Sequence, residues 1–127
     1  MGKGEIIIEP GANVWPHELK TAEALAHAGH SVRFVRASQG QRVTAADIVM
    51  GGVVWEMKAP TVGTRKALER NLRRAARQSS SIIVDSQRIR SISDAQVERE
   101  LRKLSSLITA VRRLLFVNRK CEVITIK

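Results

Sequence analysis

Asp47-Ile48-Val49-Met50-Gly51-Gly52-Val53-Val54-Trp55-Glu56-Met57-Lys58 reads as two short apolar strands joined by a pair of glycines. Adjacent glycines suit the positive φ angles of a tight hairpin turn. With Gly51-Gly52 as the whole loop, Met50 faces Val53, Val49 faces Val54, Ile48 faces Trp55 and Asp47 faces Glu56. Directly opposed side chains lie roughly 5 Å apart at Cβ. Two carboxylates at about that distance repel by about 3 kcal/mol at an effective dielectric of 20. Such an opposition calls for a cation between them.

Side chains alternate faces along a strand, so Val54, Glu56 and Lys58 point one way and Val53, Trp55 and Met57 the other. Trp55 then belongs to a core, while Glu56 and Lys58 share a face with Asp47. Two acids and a lysine in one cluster suit phosphodiester chemistry. Carboxylates hold a hard divalent cation such as Mg²⁺, the cation polarises the phosphate and acidifies a bound water, and the lysine steadies developing charge. The metal ligands on this reading are Asp47 and Glu56. The plain alternative is an edge hairpin whose outer face carries an ordinary Glu-Lys pair.

The chain has 127 residues, enough for one compact domain, residues 1–127, with a real core. Its hydrophobic fraction of 43% is that of a globular protein. Lys and Arg number 22 against 12 Asp and Glu, a formal charge of +10 that favours polyanionic partners and makes their binding salt-dependent. The charge does not separate DNA from RNA, or either from an acidic protein. The single Cys121 excludes an internal disulfide and is too few ligands for zinc. No apolar run is long enough to span a membrane, and the start, Met-Gly-Lys-Gly-Glu, has no hydrophobic signal region.

Outward from the hairpin, Glu5–Glu9 reads as a short first strand stopped by Pro10-Gly11. Pro16 opens a helix from His17 to Ala28 with Leu19, Ala22, Leu25 and Ala26 on its apolar stripe, and Gly29 closes it. Glu18 falls inside that stripe, Glu23 at its margin, and Lys20, Ala24 and His27 on the far side. The helix dipole favours an acid in the first turn, which is one account of Glu18. Burial also demands a partner for it, and a metal-centred site on the adjoining sheet would supply one. Ser31–Arg36 alternates as a strand, and residues 37–46 are a polar connection.

Beyond Ala59-Pro60, Thr64 caps a helix running from Arg65 to Gln78, with Leu68, Leu72, Ala75 and Ala76 as its apolar side. Arg65, Lys66, Arg70, Arg73, Arg74 and Arg77 stand against a lone Glu69 on this helix. Solvated faces normally mix signs, so these six side chains form a phosphate-binding surface. Gln78, at the helix end, is placed to point back toward the sheet. Ser81–Asp85 has the run of apolar residues expected of a strand buried on both faces. Asp94 opens a third helix to about Leu114, and two last strands, 114–117 and 122–126, flank Asn118.

The order is helix, three strands, helix, strand, then a C-terminal addition. Elements in this order imply an α/β protein with a mixed sheet covered by helices. A helix, then a hairpin bearing Asp47 and Glu56-x-Lys58, then a helix and a strand, resembles the PD-(D/E)xK nuclease superfamily. The resemblance implies an αβββαβ core with a C-terminal helix and strand addition. Glu18 matches the extra acid of many members, and Ala46 replaces the Pro that usually precedes the Asp. The phrases H-E-L-K-T-A-E-A-L-A-H-A-G-H-S-V, A-D-I-V-M-G-G-V-V-W-E-M-K-A-P and R-N-L-R-R-A-A-R-Q-S-S-S-I-I-V-D look like C-terminal toxin domains of bacterial contact-dependent growth inhibition proteins. Residues after Ser86 fall outside both resemblances.

The second resemblance implies a tRNA nuclease, carried by a larger secreted toxin, delivered into the cytoplasm of a rival cell and neutralised by a cognate immunity protein. On that reading Glu18, Asp47, Glu56 and Lys58 are catalytic and a divalent ion is the cofactor. An RNA substrate also permits internal attack by its 2′-OH without metal. Two alternatives stand beside it: a DNA endonuclease using the same residues, and a basic protein that binds nucleic acid without cutting it.

Overall fold

The computed structural model describes residues 3–36 and 47–127; of Asp47 it describes the backbone but not the side chain. Seven strands pair in chain order, β1 to β7, into a mixed sheet accompanied by three helices. The chain divides into two compact units, Met1–Trp55 and Glu56–Lys127.

In the first unit, β1 (Ile6–Ile8) and β2 (Val32–Val35) run parallel, and α1 (Pro16–His27) carries the chain from one to the other. β2 then pairs antiparallel with β3 (Asp47–Met50), and β3 with the first half of β4 (Val53–Lys58). The hairpin register is the one the glycine pair predicts: Ile48 opposite Trp55, Val49 opposite Val54 and Met50 opposite Val53. Gly51 and Gly52 have φ of 61° and 75°, the left-handed pair of a two-residue turn. Opposed residues share a face, so Phe34, Ile48 and Trp55 form one cross-strand row, and all three are buried. The Trp55 indole N–H donates to the Met50 carbonyl at 3.2 Å.

On α1, Ala22 and Leu25 are buried as their spacing predicts, but so is Ala24, which the helical wheel puts on the far side. Only a methyl group has to be accommodated at Ala24, so a wide contact face covers it at little cost.

The second unit repeats the parallel arrangement twice. The latter half of β4 pairs parallel with β5 (Ser81–Asp85) across α2 (Arg65–Gln78), and β5 pairs parallel with β6 (Arg113–Val117) across α3 (Asp94–Leu107). β7 (Val123–Thr125) closes the unit as an antiparallel partner of β6. Leu68, Leu72 and Ala75 of α2 and Val97, Leu101 and Leu104 of α3 cluster with Ile82, Val84, Leu114 and Phe116 of the strands. All five residues of β5 are buried, as an apolar strand covered on both faces must be.

The third helix is shorter than expected, ending at Leu107 rather than near Leu114. Ile108 is extended (φ −94°, ψ 91°), and Arg112 and Arg113 donate their backbone N–H groups to Ser80 O to start β6 beside β5. Ile108 and Val111 keep their helical spacing and are buried, yet they sit in the turn that reverses the chain. Burial alone set that spacing. The C-terminal addition is therefore one helix and two strands, with Asn118 Oδ1 accepting from the Lys120 and Glu122 backbone N–H groups in the last turn.

A Cβ built on Gly52 would meet nothing within 4 Å, so Gly52→Ala should incur only the backbone cost of a left-handed L-residue. That cost is about 1 kcal/mol. It is expected as a lower denaturant midpoint at unchanged m-value, with Gly52→Asn closer to the parent.

Candidate nucleic-acid interface and Glu-x-Lys strand

Glu56 and Lys58 lie two residues apart on β4 and project from the same face, as the strand period requires. Lys58 Nζ is 3.7 Å from Glu56 Oε2, and both side chains are about a quarter exposed (29% and 26%). The parallel register sets Glu56 beside Ile82 and Lys58 beside Val84, so the pair shares the sheet face that α2 and α3 cover. An ion pair this exposed contributes at most about 1 kcal/mol after solvent screening. Its position at the end of β4 is fixed by the ladder rather than by the charges.

Asp47 begins β3, and its side chain lies outside the described residues. Glu18 and Asp47 belong to the first unit, Glu56 and Lys58 to the second. Among the described residues there is no group of three His, Cys, Asp or Glu side chains placed to hold a metal ion. They supply Glu56 as an accessible carboxylate beside a lysine, fewer donors than a divalent ion takes.

Glu18 is buried, as its place in the apolar stripe predicts, and its burial has a local partner. Its Oε1 accepts the Trp15 backbone N–H at 2.8 Å, closing the first turn of α1 on itself. Desolvation raises its pKa above the usual glutamate value; the Trp15 hydrogen bond and the charge of His17 pull the other way and do not cancel it. Glu23 is exposed.

The basic helix α2 has the bounds its sequence predicts, with Thr64 Oγ1 accepting from Ala67 N at its start. Arg65 pairs with Glu100 of α3 at 3.8 Å and Arg73 with Glu69 at 2.9 Å. Lys66, Arg70, Arg74 and Arg77 have no ion pair among the described residues, and with Glu69 and Arg73 they line one shallow groove. Arg65 and Lys66 also load the helix's first turn, which holds no acid, with charge that opposes its dipole. Apart from the Arg65–Glu100 pair, folding gains nothing from that placement.

Two polar residues near the strand ends escaped the sequence reading. Asp85, at the end of β5, is buried and accepts from Gln87 through its backbone N–H (2.7 Å) and side chain (3.0 Å). Arg88 donates to Ala59 O at 3.3 Å. Their signal was faint: isolated charged residues just past an apolar strand, with no repeat or spacing to mark them.

A basic mixed α/β domain with a Glu-x-Lys strand is thus the class that the fold and these residues define. The model of the contact-dependent growth inhibition CdiA C-terminal domain matches residues 44–123, more than half of the chain. The chain belongs to that family. It is a contact-dependent growth inhibition toxin domain, part of a secreted toxin delivered to target cells. A chain of a CdiA-CT/CdiI toxin and immunity complex from Burkholderia pseudomallei has a similar fold, with a TM-score of 0.73 over 98% of this chain and 99% of that one at 20% identity. No curated protein matches the sequence. No helix among the described residues is long and apolar enough to cross a membrane.

Two predictions follow from the site's charges. A glutamate whose folded pKa is raised binds more protons folded than unfolded, so its contribution is full below the unfolded value of 4.5 and is lost as pH rises through the folded value. Glu18→Gln keeps an acceptor for Trp15 N without the desolvated charge. It is expected to raise Tm at pH 7, with the gain shrinking toward pH 4, by thermal melts across that range. Replacing Arg74 and Arg77 by Ala should leave Tm nearly unchanged and reduce the salt slope of tRNA binding by roughly 0.7 per residue, measured by anisotropy titrations.

Proposed function

We propose that this single toxin domain is an endoribonuclease of the PD-(D/E)xK type that cleaves tRNA in the cytoplasm of the target cell, neutralised there by a cognate immunity protein. The observation that carries it is the Glu56–Lys58 pair at 3.7 Å in the same unit as the basic face of α2, where Lys66, Arg70, Arg74 and Arg77 have no ion pair among the described residues. Toxin-family membership supports a lethal activity, and the Burkholderia complex supports an immunity partner. The choice of tRNA follows the resemblance of the segments 17–32, 46–60 and 70–85.

In this reading Arg65, Lys66, Arg70, Arg73, Arg74 and Arg77 hold the phosphate backbone, each a charge-assisted donor to phosphate oxygens. Lys58 is the residue that meets developing negative charge on the scissile phosphate, since its ammonium is compact and carries three rotatable donors. Glu56 beside it orients that ammonium and offers a carboxylate for proton transfer. Asp47 is assigned to the same set by its place in the Asp and Glu-x-Lys pattern of the sequence. Glu18 is assigned to the set by the resemblance, as the extra acid on the first helix. A divalent ion, Mg²⁺ or another, is proposed as cofactor of Asp47 and Glu56; when bound, it would polarise the phosphate and lower the pKa of a water. The 2′-OH of RNA allows attack without it.

Incubation of the domain with total tRNA, in Mg²⁺ or in EDTA and beside plasmid DNA, tests the proposal. Cleavage of tRNA that falls by at least about 100-fold in Lys58→Ala is expected, a loss typical of removing transition-state charge stabilisation. The variant should keep the parent's circular dichroism and Tm, because the ion pair is screened. Full activity in Lys58→Ala would sink this mechanism. Survival of cleavage in EDTA would remove the metal and keep the lysine.

A further inference from the structure

A second groove lies at the carboxyl ends of the parallel strands β4 and β5, the edge at which open α/β sheets bind ligands. Ala59, Pro60, Thr61 and Val62, immediately after Lys58, form one wall, and Arg70 and Asn71 of α2 with Arg88 form the other. Its volume is about 280 Å³. That is the lower end of small-ligand sites, about 300–1,000 Å³, a scale suited to one nucleotide rather than a larger ligand.

The lining carries a consistent chemistry. Arg70 and Arg88 bring two permanent cations, and neither has a carboxylate in ion-pair distance among the described residues. One N–H of Arg88 is held by Ala59 O at 3.3 Å, which fixes the guanidinium at the groove and leaves its other donors for a ligand. The Asn71 amide donates to Ala67 O at 2.8 Å, fixing that side chain through its nitrogen and leaving its carbonyl oxygen as an acceptor. Val62 is 49% exposed and offers an apolar surface for a base or sugar. Arg70 lines both this groove and the basic groove of α2, joining the two into one cationic track.

We infer that this groove is a nucleotide subsite in which Arg88 and Arg70 bind the phosphodiester adjoining the one cleaved beside Lys58. Arg88 is thus a substrate-binding residue of the reaction. The inference rests on the ribonuclease reading for its place in the reaction. The phosphate chemistry of the groove stands by itself.

The test separates the two. In the Lys58→Ala background, which binds without cutting, Arg88→Gln removes the charge and can still donate to Ala59 O, while Arg88→Lys keeps the charge. Arg88→Gln is expected to weaken tRNA binding about tenfold and to lower the salt slope by roughly 0.7, with Arg88→Lys intermediate. Binding and slope unchanged in Arg88→Gln would make Arg88 a mere tether of the 59–62 segment and overturn the inference. If the parent does not bind tRNA, the ribonuclease reading fails first, and the groove is judged on adenosine 5′-monophosphate alone. Amide shifts at Val62, Asn71 and Arg88 with the nucleotide, absent with adenosine and absent in Arg88→Gln, uphold a phosphate site. No shift with the nucleotide overturns it.

Discussion

Two consecutive residues in the left-handed region, Gly51 and Gly52, decide which way every side chain of β4 points. A strand has period two, so moving the turn by one residue would send Trp55 to the face now holding Glu56 and bring the charges to the face of Phe34 and Ile48. The turn therefore selects the core and the charged face in one step. Trp55 fixes the choice, because its ring joins the buried row of Phe34 and Ile48 and its N–H is satisfied by Met50 O. With that ring inward, Glu56 and Lys58 can only share the opposite face.

The basic helix shows the same separation of labour between faces. Leu68, Leu72 and Ala75 are almost wholly buried and hold α2 in the second unit's core. Burying a leucine contributes about 2 kcal/mol, several times what one unfavourable charge at a helix terminus costs. The apolar stripe can thus carry a first turn of Arg65 and Lys66 that holds no acid of its own, Arg65 being met from α3 by Glu100. Stability tolerates this charge but gives no reason for it.

The sequence was most legible where one local rule acted alone. The glycine pair gave the hairpin register, a threonine cap and a long amphipathic run gave both ends of α2, and an unbroken apolar run gave β5. It was least legible where two rules produce one pattern. Ile108 and Val111 are spaced like helix residues because the core wants them, while the backbone must already turn toward β6. Parallel pairing of β4, β5 and β6 has no local signature either, since it depends on where the crossing helices return the chain. At the candidate site, the strand period was enough to bring Glu56 and Lys58 together. Arg88 was invisible because its neighbours are set by a contact with Ala59, 29 residues away.

Glu18 illustrates how one residue can satisfy two readings that seemed to compete. Its stripe position predicted burial and a partner; the partner is the backbone of its own helix, Trp15 N. A carboxylate used in this way is a weak candidate for a primary metal ligand, because desolvation favours its protonated form. The same bond makes it a strong candidate for setting the entry angle of α1, since the capped turn fixes where the chain arrives from β1. If Glu18 takes part in catalysis, positioning is therefore the role its surroundings favour. In the proposed mechanism direct chemistry falls to the pair on β4, about a quarter exposed, whose charges water can reach.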